Sequence, residues 1–177
     1  MTDPSLQSLT VRLARGEEAA FAELYDACAD RLHHYLTARL GSRDAASDVL
    51  QSAFLRAVKS RKLFRNVENP VAYLFQIARN EAMRLHATKR VANRPLAADA
   101  VFAVEADPFG QQEDAEVVAA ALARLTAEDR ELIELKLFSE LTFREIAEVM
   151  GLPQGTVATR YRRAMESMRP WLVKQLR

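Results

Sequence analysis

Four polar side chains near the end of the chain have the types and the spacing that bind nucleic acid. They are Thr156, Thr159, Arg160 and Arg163. They share one face of a helix predicted to begin near Gln154, where hydroxyls can bond phosphates or bases and a guanidinium can be bidentate to guanine. A helical hairpin with a solvated basic face is the alternative, and spacing alone leaves it open.

The segment from Leu141 to Met168 predicts the two helices that position this face. Thr142 followed three residues later by Glu145 is a capping box for the first helix. Gly151 can adopt the positive φ of a helix end, and Pro153 prevents continuation. The second helix has an apolar stripe, which consists of Val157, Tyr161, Ala164, Met165 and Met168. From residue 159 to 177 the net charge is +5, which favours DNA as the ligand of this helix-turn-helix.

A second basic segment lies in the first half of the chain. Between residues 56 and 94 ten basic residues stand against two acidic ones, a net charge of +8. Within it the stretch SRKLFRNVEN reads as a basic loop between helices, and its Phe64 could stack on bases while the cations bind phosphates. Packing of Phe64 into the core is the equally open alternative.

Composition and charge pattern predict an all-α protein of two small helical domains joined by a flexible acidic linker. The chain has 177 residues, of which 49% are hydrophobic and only five are glycine, and its net charge is +1. From 95 to 123 there is no Lys or Arg and the charge is −6. We expect an N-terminal domain at 1–90, the linker at 91–112 and a C-terminal domain at 113–177.

Amphipathic patterns predict the helices that build these domains. The N-terminal helices are expected at about 5–15, 17–40, 42–60 and from Asn69-Pro70 onward, the last with Asn69 as N-cap and Pro70 as first helical residue. Two more are expected at about 113–124 and 127–138. The single cysteine, Cys28, falls on an apolar stripe and is expected in the core.

Several function classes find no support in the sequence. It has no phosphate-cradling Gly loop, no clustered metal ligands and no nucleophile motif, so we expect neither an enzyme nor a bound cofactor or metal. It has no signal peptide and no long apolar run. We therefore expect a cytoplasmic protein without membrane insertion.

Four stretches resemble a known family, the extracytoplasmic-function (group IV) sigma factors of bacterial RNA polymerase. They are FAELY, DAASDVLQSAFLRA, NPVAYLFQIARNEAMR and the segment from LARLTAEDR to AMESMR, which includes the turn Leu-Pro-x-Gly-Thr-Val. Together they cover nearly the whole chain in the family's order. The resemblance implies a subunit that binds core polymerase and promoter DNA and directs promoter-specific transcription initiation.

The resemblance also implies a role for each surface. The helix carrying Asp44, Asp48, Gln51 and Phe54 would dock on the coiled coil of the polymerase's largest subunit. The minus-ten promoter element would be melted and held by Lys62, Phe64, Arg65, Asn66, Tyr73, Arg79 and Asn80. The minus-thirty-five element would be read by Gln154, Thr156, Thr159, Arg160 and Arg163. The acidic linker would lie in the polymerase's basic channels.

The sequence departs from the family pattern at informative positions. Ser47 and Ser52 stand where the polymerase-binding helix commonly has Glu or Asp, and Tyr73 stands where the melting helix usually has Trp. Arg84 occupies a usually acidic position in that helix. One hypothesis is that a Ser/Thr kinase phosphorylates Ser47 or Ser52, because a phosphate would restore the missing negative charge.

Two other functions stay open at this point. One is a dimeric helix-turn-helix regulator that binds duplex DNA without polymerase. The other is a sigma mimic, an interaction protein that titrates an anti-sigma factor. An anti-sigma factor is also an expected partner of the leading interpretation.

Overall fold

The computed structural model describes the backbone of residues 4–92 and 112–175, and the side chains of residues 9–88 and 117–173. All regular structure in these ranges is helical, as predicted. The α-helices are α1 (Pro4–Arg15), α2 (Glu18–Leu40), α3 (Arg43–Lys59), α4 (Pro70–Ala92), α5 (Gln112–Ala123), α6 (Ala127–Phe138), α7 (Phe143–Met150) and α8 (Gln154–Gln175); a 3-10 helix spans Arg61–Asn66. Almost all of the predicted acidic linker lies outside the described residues.

Short polar side chains cap two helices of the N-terminal bundle (α1 to α4), namely α3 and α4. The Ser42 hydroxyl accepts a hydrogen bond of 3.3 Å from the Ala45 amide at the start of α3. The Asn69 side-chain oxygen Oδ1 accepts one of 3.1 Å from the Ala72 amide at the start of α4. These bonds satisfy amides that have no partner within the helix, and the Asn69 cap confirms the sequence-based prediction.

The apolar stripes of α2, α3 and α4 form the core of this bundle. Tyr35 and Phe75 are both fully buried, and their rings lie 6.0 Å apart. Cys28 is also buried and donates from Sγ to the Leu24 carbonyl at 3.0 Å. Burial raises the pKa of its thiol to about 12, so Cys28 is a core residue, as predicted, rather than a reactive one.

The segment predicted as a basic loop contains the 3-10 helix instead, and α1 packs against it. The chain turns into α2 at Gly16, which has φ +83°, and a Cβ there would lie 2.9 Å from the Arg61 side chain. L side chains rarely adopt this backbone angle, so the turn favours glycine, whereas the flexible Arg61 side chain could move away from a Cβ.

The C-terminal unit, α5 to α8, contains the predicted helix-turn-helix in α7 and α8. Thr142 and Glu145 form both bonds of the capping box, since each side chain accepts from the other residue's amide. Gly151 ends α7 with φ +67°. Val157, Ala164 and Met168 of α8 are buried against the unit's other helices. The helix-turn-helix predicted from the capping box, the Gly151 turn and the apolar stripe is therefore present.

The two units pack directly on each other, which the sequence did not predict. Helix α4 lies against α7, and α2 lies against α6. Polar bonds cross this interface at several places, including one of 2.9 Å from the Asn69 amide nitrogen to Glu145 and one of 3.2 Å from Arg31 to the Ser139 carbonyl. The described helices therefore form a closed arrangement.

Candidate nucleic-acid interface

One stripe of α3 faces solvent and combines acidic with apolar side chains. Its members are Asp44, Asp48, Gln51, Leu55 and Val58, which lie within about 40° of one direction at 100° per residue. Leu55 is 55% exposed and Val58 is 41% exposed. Exposed apolar side chains grouped with polar ones are typical of protein-binding surfaces.

The structure separates Phe54 from this stripe. Its ring is partly buried and lies 5.0 Å from the ring of Tyr25. Sequence reasoning missed Leu55 and Val58, although their positions opposite the buried Val49 and Ala53 could have identified them. The predicted acidic contacts Asp44 and Asp48 are both exposed.

Ser47 and Ser52 flank the α3 stripe on opposite sides. Both side chains are exposed. The Ser47 hydroxyl lies 3.2 Å from the His33 ring nitrogen Nε2. A phosphate at either position would add negative charge next to the acidic residues of the stripe.

The 3-10 helix presents its cations to solvent and buries its aromatic residue. Lys62, Arg65 and Asn66 are exposed. Phe64 is fully buried, with its ring 6.0 Å from that of Phe21 and 5.2 Å from that of Tyr73. This corrects the expectation of a ring that stacks on bases, because the buried ring instead anchors the cation-bearing segment to the bundle.

On α4 the predicted minus-ten residues differ in accessibility. Asn80 is exposed and Tyr73 is half-buried. Arg79 is bound to the other unit, since its Nε and Nη2 donate to the two carboxylate oxygens of Glu131 at 2.8 and 2.9 Å. The hydrogen bonds to Glu131 raise the pKa of Arg79. The expectation that Arg79 faces DNA is therefore not met in this closed arrangement.

A cavity of about 280 Å³ lies at the start of α4. Tyr73, Gln76 and Asn69 line it from the N-terminal bundle, and Glu148 of α7 lines it from the C-terminal unit. Arg144 of α7 lies 3.1 Å from Glu68 at its rim. The C-terminal unit thus covers part of the surface that the sequence assigned to minus-ten DNA.

The first turns of α8 carry the predicted helix-turn-helix contacts. Gln154, Thr156, Thr159 and Arg163 are exposed. Arg160 behaves differently, because it lies 2.7 Å from Glu128 and donates at 2.8 Å to Asp129 at the start of α6. In this structure Arg160 links α6 to α8, and its role in reading the minus-thirty-five element stays a prediction.

Sequence reasoning missed two carboxylates of α6 that bind arginines of the N-terminal bundle. Glu131 and Glu134 are 3% and 1% exposed, and they contact groups on α2 and α4 that are distant in sequence. Two acidic residues on the apolar side of a helix are the only local signal. Their partners could not be identified without the tertiary structure.

Two kinds of feature are absent from the described residues. None of the helices there combines the length and hydropathy needed to cross a membrane. Residues 9–88 and 117–173 hold no cluster of three or more His, Cys, Asp or Glu side chains that could bind a metal.

Comparison with known proteins identifies one family that matches both parts of the chain. The family described as "Sigma-70 region 2" matches residues 24–91, and "Sigma-70, region 4" matches residues 115–168. These matches follow the predicted order of the two domains, while the exact boundaries at 90 and 112 stay a prediction.

Individual relatives align with this chain over almost its full length. The chain is 31% identical to the ECF RNA polymerase sigma factor RpoE of Cereibacter sphaeroides, over 96% of this chain and 98% of that one. It is 28% identical to SigW of Bacillus subtilis, over 94% of each. The sigma factor RpoE of Bartonella quintana, solved in complex with the anti-sigma factor NepR, has a TM-score of 0.66 at 25% identity and covers 88% of this chain and 95% of that one. The chain belongs to the extracytoplasmic-function family of RNA polymerase sigma factors.

Proposed function

We propose that this sigma factor docks on core polymerase through the exposed stripe of α3. Leu55 and Val58 supply apolar area at its centre, and Asp44, Asp48 and Gln51 supply polar contacts beside it. Desolvated apolar contacts contribute most to affinity, while surrounding charges steer association and fix orientation. Phe54 supports the stripe through its contact with Tyr25.

The minus-ten element is bound by the 3-10 helix and α4. Lys62, Arg65 and Asn66 are exposed for phosphate and base contacts. Tyr73 and Asn80 extend this surface along α4, with Arg79 joining when its bond to Glu131 opens. Extracting a base from the stack costs a few kcal/mol, and contacts in a protein pocket offset that cost.

The minus-thirty-five element is read by the N-terminal turns of α8. Gln154, Thr156, Thr159 and Arg163 are exposed there, in the position from which a recognition helix contacts base edges in the major groove. Arg160 holds the helix in place from the side through Asp129.

The partners follow from these surfaces. The protein works in the cytoplasm with core polymerase and promoter DNA, as a specificity subunit that catalyses no reaction itself. An anti-sigma factor is a further partner, and the Bartonella quintana relative was solved with one. The observation that best supports this proposal is that one chain carries an exposed acidic-apolar stripe on α3 and two separate surfaces with exposed cations.

In vitro transcription tests the proposal directly. Purified protein and core polymerase are incubated with a genomic fragment library, and the transcript ends are sequenced. We expect initiation downstream of one pair of shared sequence elements, absent with core polymerase alone. Thr159→Ala with Arg163→Ala should relax or weaken the upstream element only, and Lys62→Ala with Arg65→Ala should weaken use of the downstream element only.

Two other results would contradict the proposal. Duplex binding without transcription would favour a polymerase-independent regulator. Silence with a folded chain that still binds an anti-sigma factor would favour a mimic.

A further inference from the structure

Three charged side chains form a cluster where the end of α3 meets α4. The side chain of Glu81 on α4 is 15% exposed, and its Oε1 accepts a hydrogen bond of 3.1 Å from Nη1 of Arg84, three positions further along the same helix. The Nε of Arg56, in the last turn of α3, lies 2.6 Å from the same oxygen. One carboxylate oxygen therefore brings two guanidiniums from different helices close together.

This cluster has more positive charge than its carboxylate neutralises. Two arginines against Glu81 leave a net charge of +1. Lys59 adds a further exposed cation, since it lies three positions after Arg56 and neighbours it on the surface of α3. Cations held at short distances repel one another unless an anion lies close to them. The surplus of positive charge on this surface therefore favours binding of an anion.

Both guanidiniums of the cluster are accessible to a ligand. The side chains of Arg56 and Arg84 are 48% and 60% exposed. Each guanidinium has several N–H donors, and the contact with Glu81 uses only one nitrogen of each. The other nitrogens form no hydrogen bond with any described residue. Of the two arginines whose side chains are described on α4, Arg84 is the accessible one, because Glu131 occupies Nε and Nη2 of Arg79.

The cluster lies between the two parts of the proposed minus-ten surface. At 100° per residue, Tyr73, Asn80 and Arg84 lie within about 40° of one another around α4. Arg56 belongs to the last turn of α3, which ends directly before the 3-10 helix and its exposed cations. A nucleic-acid strand that contacts both α4 and the 3-10 helix would therefore pass close to this pair of arginines.

We propose that Arg56 and Arg84 together bind one backbone phosphate of promoter DNA next to the minus-ten element, with Glu81 holding both guanidiniums in position. A guanidinium fork matches the oxygens of a phosphate, and a DNA phosphodiester carries one negative charge, which balances the surplus of the cluster. Such a contact does not read sequence but fixes the register of the protein on the DNA. The inference rests on the proposed minus-ten role of α4 and the 3-10 helix.

Promoter binding by variants of the holoenzyme, the complex of this chain with core polymerase, tests the contact. The variants are Arg56→Ala, Arg84→Ala and Arg84→Lys, and the DNA is a promoter fragment that the native holoenzyme transcribes. Arg43→Ala is the matched control, because Arg43 is exposed, forms no ion pair with any described residue and begins the same helix about 20 Å from Arg56. Circular dichroism and small-angle X-ray scattering of each free chain verify that the fold is native.

The first readout is the dependence of promoter affinity on salt, because each neutralised phosphate contributes to it. Each alanine variant leaves one arginine against Glu81, so the cluster becomes neutral. We expect both alanine variants to bind the promoter about three- to tenfold more weakly than the control, with a slope of log affinity against log salt that is smaller by about 1. Arg84→Lys keeps the charge, so its slope should equal that of the native chain.

The second readout identifies the phosphate. A set of promoter fragments is made in which one backbone phosphate at a time is replaced by an uncharged methylphosphonate. At one position next to the minus-ten element, this replacement should weaken binding of the native holoenzyme by the same factor as Arg84→Ala does. The same replacement should not weaken binding of either alanine variant further, because these variants have already lost the contact.

Two results would overturn the inference. Alanine variants with the affinity and salt slope of the control, but with a lower melting temperature, would mean that the cluster only ties α3 to α4. Loss of affinity in the variants without any methylphosphonate position that removes their difference from the native chain would mean that the ligand is not a phosphate. If one alanine variant does not fold, the other decides.

Failure of this inference can be distinguished from failure of the proposed function. A native holoenzyme that transcribes from discrete promoters, together with alanine variants that bind like the control, would leave the proposed function intact and refute the phosphate contact. A native holoenzyme that transcribes from no promoter would overturn both.

Discussion

The aromatic rings of Phe64 and Tyr73 lie nearly perpendicular, with centroids 5.2 Å apart and an interplanar angle of 86°. Phe64 is fully buried, while Tyr73 is half-buried on α4. Pairs with this geometry contribute about 0.5–1.5 kcal/mol beyond the burial of their area. The pair therefore links the core of the bundle to the proposed minus-ten surface.

Phe64→Ala should lower the free energy of unfolding by about 3–5 kcal/mol, because it opens a cavity where a fully buried ring had packed. Urea unfolding followed by circular dichroism measures this. Leu63→Ala is the matched control, since Leu63 is 53% exposed and its loss should change stability by about 0.5 kcal/mol or less. Unchanged stability in Phe64→Ala, with weakened minus-ten binding, would restore the base-stacking role.

Arg160 and Arg163 should respond differently to substitution by alanine. Arg163 is exposed, so its loss should weaken minus-thirty-five duplex binding by about 1–3 kcal/mol if it reads a base. Arg160 is tied to Glu128 and Asp129, so its loss should mainly reduce stability, by about 1 kcal/mol or less. Anisotropy on the minus-thirty-five duplex and thermal unfolding measure the two effects. If Arg160→Ala instead loses more binding than Arg163→Ala, and only on one duplex sequence, Arg160 reads a base directly.

Leu55→Ser should weaken binding to core polymerase about tenfold or more, because it removes apolar area at the centre of the α3 stripe. Its effect on stability should be about 0.5 kcal/mol or less, since the side chain is 55% exposed. Leu137→Ser is the control, because Leu137 is 41% exposed on α6 and lies outside the stripe. Equal polymerase affinity of the two variants would show that another surface docks.

Acidic substitution of Ser47 and Ser52 tests the phosphorylation hypothesis. The double variant with Asp at both positions should bind core polymerase several-fold more tightly than the double alanine variant, because it restores negative charge beside Asp44 and Asp48. Titration of labelled protein with core polymerase measures both. The hypothesis fails if the alanine pair matches the native chain and the acidic pair gains nothing.

Closure of the two units should weaken as pH rises. Burial raises the pKa of Glu134 from 4.5 to about 7, while Arg39 and Arg130 oppose that shift and Glu131 adds to it. Tyr35 lies beside the same charged groups. In the open state Glu134 is solvated and its pKa returns toward 4.5, so the closed state binds the proton more tightly. Its extra stability is complete below pH 4.5 and is lost as pH rises through about 7.

Scattering measured at about pH 5.5 and about pH 8 tests this sign. The native chain should be more compact at the lower pH, and Glu134→Gln should show a much smaller difference, because its amide does not titrate. Compaction that increases with pH in the native chain would refute the assignment to Glu134.

Most of the helices and their caps could be predicted from the sequence, because their causes are local. The capping box of Thr142 and Glu145, the Asn69 cap and the positive φ of Gly151 each depend on residues within one or two turns. Helical spacing likewise places Asp44, Asp48 and Gln51 on one side of α3, although the exposed Leu55 and Val58 of that stripe were missed. The resemblance of consecutive segments to one family was sufficient to identify the class of protein.

Tertiary structure alone decided which of the predicted DNA contacts are accessible. Sequence left Phe64 equally able to stack on bases or to fill the core, and packing against Phe21 and Tyr73 buried it. The pairing of Arg79 with Glu131 joins residues 52 positions apart, and that of Arg160 with Asp129 spans 31. Such pairings depend on how whole helices pack. Residue type and spacing therefore determined which surfaces carry acidic, apolar or cationic side chains. Long-range packing determined which of those side chains are buried or paired with other residues of this chain.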